Sequence, residues 1–263
     1  MKNYFLTLLI FISTTSSFFA QLSPPGLGDT NTASWFAVGV RQDLGNSKKM
    51  ESLTYLGLGI KSNDDNDNFI EKPAIIVLNQ EFYHRLNSHF NISYAASYRR
   101  QLQYSLDEYF NDQKSETEQE LRLYGRLAYS TEIGKVKLTQ TIRQEFRKFI
   151  DEKGHNADEP FQLRSRFKSQ AAYELDQKNQ HTIMAGAEVL FSTAKNNATK
   201  DWSKFGYQES RFTLFYTYRP QKIPIAISIG YMNNLIQKNK THSVHYASLD
   251  LVWENPFSSP SKK

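Results

Sequence analysis

The stretch Phe161-Gln162-Leu163-Arg164-Ser165-Arg166-Phe167-Lys168-Ser169-Gln170-Ala171-Ala172-Tyr173-Glu174 decides the fold. Taken every second residue, it separates into Phe161, Leu163, Ser165, Phe167, Ser169, Ala171, Tyr173 and Gln162, Arg164, Arg166, Lys168, Gln170, Ala172, Glu174. Successive side chains of a strand point to opposite faces, so the run has one mostly apolar face and one charged face. It exceeds the about 5 to 6 residues of an ordinary globular strand. A transmembrane β-strand needs about 9 to 11 residues, with lipid outside and a polar lumen inside, and this run meets that description.

Working outward from it, the same pattern recurs in eleven stretches: residues 34–44, 52–61, 74–85, 90–104, 118–131, 136–149, 161–174, 182–193, 207–219, 225–235 and 243–253. Their regular spacing predicts an up-and-down meander. The connections alternate in length. Residues 63–72, 105–117, 150–160 and 194–206 are long and polar, whereas 86–89, 132–135, 175–181 and 220–224 are short. Bacterial outer-membrane barrels combine short periplasmic turns with longer extracellular loops, so the long set is expected to face outward. With the last strand ending in the periplasm, the stretch 34–44 runs inward and needs a partner before it. An even strand count therefore predicts twelve strands, with one hidden around residues 21–32; ten is the alternative. The expectation is an all-β protein: a single antiparallel up-and-down transmembrane β-barrel, with no helix crossing the membrane.

Composition agrees with this reading. A mean hydropathy of -0.59 would be wrong for a helical membrane protein. A barrel strand gives half its residues to a polar interior, so no long apolar run is required. The 15 Tyr and 18 Phe suit the aromatic girdles at lipid headgroups. Residues 1–20, with Lys2, an apolar run over residues 4–12 and Phe18-Phe19-Ala20, read as a secretory signal peptide cut after Ala20. Residues 21–33 form an irregular leader containing Ser23-Pro24-Pro25-Gly26-Leu27-Gly28, residues 34–257 the barrel, and residues 258–263 a polar tail. The chain holds no Cys, which excludes disulfides, thiol catalysis, thiolate metal sites and lipid attachment through Cys. Lys and Arg number 32 against 27 Asp and Glu; leaving out Lys2 gives 31 against 27, spread along alternating strands. No basic stripe forms, so nucleic acid is not an expected partner.

Turning the apolar lists outward places a charge cluster in the lumen: Arg99, Glu120, Arg122, Arg126, Arg143, Glu145, Arg147, Arg164, Arg166, Lys168, Glu209 and Arg211, with Glu81 nearby. Against lipid each midplane Arg or Lys would cost about 2 to 4 kcal/mol. One reading pairs these charges across neighbouring strands and fills a narrow lumen, giving a structural barrel. Another makes the Arg excess a pore or binding surface for a small anionic solute. An enzyme reading rests on His242, Ser243, His245, Ser248 and Asp250, as in a lipid-modifying barrel, but Ser243 and His245 share a face opposite Ser248 and Asp250. Catalytic residues are therefore expected to be none. The fourth alternative, a soluble periplasmic ligand-binding barrel, would turn the alternation inside out. Asp64, Asp65, Asn66, Asp67 and Asn68 lack the Gly and closing Glu of a calcium loop and read as a solvated turn. His155 stands alone, and His84, His89 and His181 lack zinc spacing, so no metal or cofactor is expected. Leu249-Asp250-Leu251-Val252-Trp253 is similar to the terminal signal read by the barrel assembly machinery, which with outer-membrane lipid is an expected partner.

Several motifs resemble an uncharacterised outer-membrane group, domain-of-unknown-function family 2490: Ser23-Pro24-Pro25-Gly26-Leu27-Gly28, Asn31-Thr32-Ala33-Ser34-Trp35-Phe36, Arg41-Gln42, Asn79-Gln80-Glu81-Phe82-Tyr83-His84 and Ser97-Tyr98-Arg99-Arg100-Gln101. Others are Arg143-Gln144-Glu145-Phe146-Arg147, Phe161 to Phe167, Gly230-Tyr231-Met232-Asn233-Asn234-Leu235 and Trp253-Glu254-Asn255-Pro256-Phe257. The resemblance implies a barrel in the outer membrane of a Gram-negative cell, and no known activity.

Overall fold

Alternation over so many long runs leaves each strand with one face to bury, and the chain does so by closing on itself. The structure is a computed structural model that describes residues 22–258 apart from residues 23, 29, 46–48, 64–65, 107–112 and 238–240; for 103–106 and 113–116 it describes only the backbone. The expected signal peptide and most of the polar tail lie outside the described residues. Eleven strands are described: β1 (Thr32–Leu44), β2 (Met50–Lys61), β3 (Lys72–Arg85), β4 (Phe90–Leu106), β5 (Gln113–Ile133), β6 (Val136–Asp151), β7 (Asn156–Glu174), β8 (His181–Lys195), β9 (Gly206–Tyr218), β10 (Ile225–Gln237) and β11 (Thr241–Glu254). Each pairs antiparallel with its sequence neighbours, and β1 closes the barrel against β11 in parallel, from Thr32↔His245 to Arg41↔Glu254.

The count of eleven corrects the expected twelve, and the alternative ten, as does the parallel seam in a barrel expected to be wholly antiparallel. Every predicted stretch became a strand; the hidden twelfth did not. The described residues of this stretch, 22, 24–28 and 30, instead run through the lumen, where Leu22 and Leu27 are buried against inward-facing Trp35, Met232, Val244 and Tyr246. The leader accepts a hydrogen bond from Arg211 Nη1 at the Pro24 carbonyl (3.2 Å), and the Leu27 amide donates to the Tyr246 hydroxyl (2.9 Å). It then reaches the rim. There Thr30 meets Ser62 (Oγ1 to Oγ, 2.9 Å), the His242 ring sits 2.7 Å from the Thr30 carbonyl, and β1 starts back down the wall. The upward pass that parity demands thus runs through the middle of the barrel, where Pro24 and Pro25 lose no ladder bond.

Two strand pairs grow past their predicted ends. β4 and β5 continue to Leu106 and from Gln113, and β6 and β7 to Asp151 and from Asn156, so the connections expected over 105–117 and 150–160 are mostly strand. At the opposite end the turns are short. The tightest, Gly134-Lys135 between β5 and β6, needs the positive φ (60°) that Gly134 adopts.

The outward face is apolar. Val38, Leu78, Leu123, Ile142, Leu214 and Ile229 are each more than half exposed. Rings flank this aliphatic band. Toward the turn end, Phe90 packs on Tyr129 (5.1 Å), His181 on Tyr218 (4.9 Å) and His84 on Tyr94 (5.4 Å). Toward the loop end Phe146 meets Phe161 and Phe191 meets Phe205 and Phe167. Outward polar side chains bond to one another: Tyr98 donates to Gln119 (2.8 Å), Gln140 to Ser169 (2.8 Å), Ser165 to Gln144 (2.6 Å), and Thr54 pairs with Gln80.

Candidate functional site

The lumen has two unlike walls, because the inward residues of different strands differ. On β1, β2, β3, β10 and β11 they are largely apolar: Ala33, Trp35, Ala37, Leu53, Ile75, Val77, Met232, Val244, Tyr246 and Val252 form one cluster with the leader's Leu22 and Leu27. A lumen polar all round was the expectation; this wall departs from it because the leader covers it, so its apolar side chains never meet water. Close packing needs inner-face glycines. The Trp35 indole lies where a Cβ on Gly57 would be, and a Cβ on Gly59 would stand 2.7 Å from Ile75 and 3.2 Å from Leu27.

The facing wall, β4 to β9, carries the charges. All twelve residues of the expected cluster point inward, and they sort around carboxylates. Glu120 accepts from Arg122 Nε (2.6 Å) and from Arg147 through Nε (2.9 Å) and Nη2 (2.7 Å), while Arg147 also bonds Gln162. Glu145, wholly buried, lies among Arg143 (2.7 Å), Arg166 (3.0 Å) and Arg122 (3.2 Å). Arg166 reaches on to Glu188 (2.5 Å). Glu209 pairs with Arg211 at 2.6 Å, with Arg164 more distantly at 3.9 Å, and accepts from Asn234 (2.9 Å). Glu81 takes Ser93 (2.6 Å), the Tyr124 hydroxyl (2.8 Å) and Arg126 (3.4 Å). Lys168 and Arg99 stand beside this network, lining a cavity. Low local dielectric makes such pairs strong and their disruption costly.

Sequence reasoning missed Glu188 because β8 reads Thr182, Met184, Gly186, Glu188, Leu190 along its inner face, too apolar to suggest a lumen charge. Strand parity alone would have found it, since it pairs across from Lys168. The leader's place was also missed. Apolar Leu22 and Leu27 flanking Pro-Pro-Gly were the available signal.

Network and leader fill the loop-side half of the lumen. In the turn-side half a cavity of about 140 Å³ remains. Its lining extends toward the loops as far as Arg99 on β4, Arg122 on β5, Arg143 on β6, Arg164 on β7 and Arg211 on β9. It begins near the turns with Lys49, Arg85 and Lys137.

The residues considered for catalysis do not converge. His242 contacts the leader, Ser243 accepts from Asn233 (2.6 Å), His245 meets the Tyr231 hydroxyl (2.7 Å) on the outer face, and Ser248 and Asp250 are buried inside. His84, His89 and His181 stack on outward tyrosines, and His155 sits 3.3 Å from Asp151 in a turn. Of the acidic run, Asp64 and Asp65 lie outside the described residues. Asn66 and Asn68 cap local backbone amides, while Glu71 accepts from the Asn63 amide (2.8 Å).

A closed β-barrel, without helix among the described residues and with a charged and internally plugged lumen, is the class that these features define. Within it, the chain belongs to the family described as protein of unknown function (DUF2490), whose model matches residues 32–245. The matched span runs from the first residue of β1 into β11 and leaves out the leader. Comparison with curated proteins and with solved structures finds no match.

Proposed function

We propose that this protein is an integral outer-membrane β-barrel of a Gram-negative cell, held in the lipid by its wall and closed to ion flow by its own leader and charge network. The observation carrying this reading is the outward face, an aliphatic band between two aromatic rings whose polar members satisfy one another. A monomeric soluble protein rarely exposes apolar patches beyond a few hundred Å², whereas the lipid-facing surface of a barrel has this banded form. A soluble ligand-binding barrel would present the opposite alternation. In this reading the signal peptide exports the chain, Leu249 to Trp253 engages the assembly machinery, and the turn end faces the periplasm. The lumen's charges then act first as structure, filling the upper half with paired side chains.

Cell fractionation tests the placement: the protein should pellet with outer membranes and leave them only in detergent. Recovery in the periplasmic extract overturns it. Planar-bilayer recording tests the closure, with the wild-type chain expected to be electrically silent. Steady conductance from the intact chain would show that the leader does not seal the lumen.

A further inference from the structure

The turn-side cavity has features that a solvated gap does not require. Its space, about 140 Å³, approaches the about 150 Å³ of an engineered cavity that takes up benzene. Across from the apolar wall it is lined by Arg99, Arg122, Arg126, Arg143, Arg164 and Lys168, while the acids of its lining are Glu81, Glu188 and, near the turns, Glu51, which pairs with Arg85 at 3.7 Å. Glu120, Glu145 and Glu209 lie behind that lining, so the surface facing the space is strongly cationic.

The guanidinium groups there are both held and incompletely used. Arg143 lies 3.6 Å over the Tyr124 ring and Arg126 5.8 Å from it, and the Tyr124 hydroxyl is fixed by Glu81. Arg122 is only 2 % exposed, and its Nη2 is buried without a hydrogen-bond partner among the described residues. The same holds for Nε of Arg99 and of Arg164. Arg99 stands in no ion pair among the described residues, and the Arg164 pair is 3.9 Å long. Such donors seek oxygen acceptors, and the planar guanidinium fork matches the oxygens of phosphate.

We propose that this cavity binds a small multivalent oxyanion of the phosphate class, which enters from the turn end past Lys49 and Lys137. Those two lysines begin the lining and draw anions toward the mouth. The phosphate has two sources with the same chemistry, a free phosphorylated solute and the headgroup of a lipid. The proposal rests on lumen geometry and does not depend on where the barrel resides.

The probe is inorganic pyrophosphate, titrated calorimetrically into the purified full chain in neutral detergent at low salt, with chloride as control. Saturable binding at one site is expected, weakened by added salt. Affinity should fall by about tenfold or more in Arg99→Gln combined with Arg164→Gln. Arg164→Lys, which keeps the charge and loses the fork, should fall between the two. Phosphorus-31 spectra of the purified protein separate the sources: a headgroup ligand appears as retained phospholipid that pyrophosphate displaces, and a free solute leaves no retained lipid. Two results overturn the proposal: no saturable heat up to about 10 mM pyrophosphate together with no retained phospholipid, or an affinity unchanged in the double variant. If that variant does not fold, the wild-type titration alone decides. The same titration runs in plain buffer should the chain prove soluble, so failure of the membrane reading is distinguished from failure of this one.

Discussion

Glu145→Gln removes one charge and almost no volume from the centre of the lumen, which makes it the sharpest probe of the network. The native carboxylate is fully buried, with Arg143, Arg166 and Arg122 at 2.7, 3.0 and 3.2 Å. At an effective dielectric near 20, two unit charges about 4 Å apart attract by about 4 kcal/mol. Three such attractions are lost, offset by the desolvation that Glu145 no longer incurs. What remains is three clustered guanidinium groups with too few partners. Removing one member of a buried ion pair typically costs about 3 to 5 kcal/mol, and that is the expected loss of unfolding free energy here. Urea titration of the folded protein in neutral detergent measures it, read by tryptophan fluorescence with the compact form followed on cold gels. Adding Arg143→Met to Glu145→Gln removes one surplus cation and should recover part of the loss, a positive coupling between the two sites. A Glu145→Gln variant within about 1 kcal/mol of wild type would refute the idea that the arginines depend on this carboxylate.

Gly57→Val should cost about 1 to 3 kcal/mol in the same assay, because any Cβ there meets the Trp35 ring. Gly125→Ala, whose Cβ finds only the Ser93 carbonyl at 3.9 Å, should stay within about 0.5 kcal/mol. Tyr246→Phe leaves the buried Leu27 amide without its acceptor, at about 1 to 3 kcal/mol, and should speed hydrogen exchange at that amide. The Asn63 backbone amide bonds to Glu71 and, aided by the Asn63 and Asn66 side chains and by Lys72, holds its carboxyl below 4.5. Protons therefore favour the released loop: the contribution of Glu71 is intact at neutral pH and disappears as pH falls through its lowered pKa. A nuclear magnetic resonance titration should place the Glu71 midpoint below 4.5, and a midpoint at or above that value refutes the loop contact.

The wall was legible because it is written locally. Alternation along 161–174 and its ten companions depends on neighbouring residues alone, and all eleven stretches lie in strands, with the expected charged inner face on the wall from β4 to β9. Closure itself was expected, but the parallel register of the seam was not legible, since pairing Thr32 with His245 depends on the whole intervening chain. The rule of even strand counts then pointed the wrong way, because it assumes that every pass of the chain lies in the wall. Extension of β5 was hidden by polar residues such as Glu116, which reads as loop in isolation yet pairs with Gln103 when the neighbouring strand continues, and that of β7 by Asp158 and Glu159, which lie in its extended N-terminal part where the register with β6 shifts. The charge cluster followed from parity, but Glu188 and the leader's contacts needed the inner faces of several strands taken together. Trp35, Val77, Val244 and Tyr246 gave a hint, as apolar residues aimed at a lumen that water would otherwise wet.

The seam between β1 and β11 dictates an order of assembly. Its two strands are the first and last of the wall, so their contacts close the longest stretch of chain and are expected to form late. The leader passes beneath that seam, tied to Arg211 and Tyr246. It has to be laid against β9 and β11 while the ring is still open, because a finished ring could admit it only by threading. The ends of the seam are then fastened like the two ends of a zip: Asn31 accepts the His245 amide at one, and Arg41 accepts the Asn255 amide at the other. On that order the last strand stays unpaired with the first until the first residues have been tucked inside, and the seam forms only then.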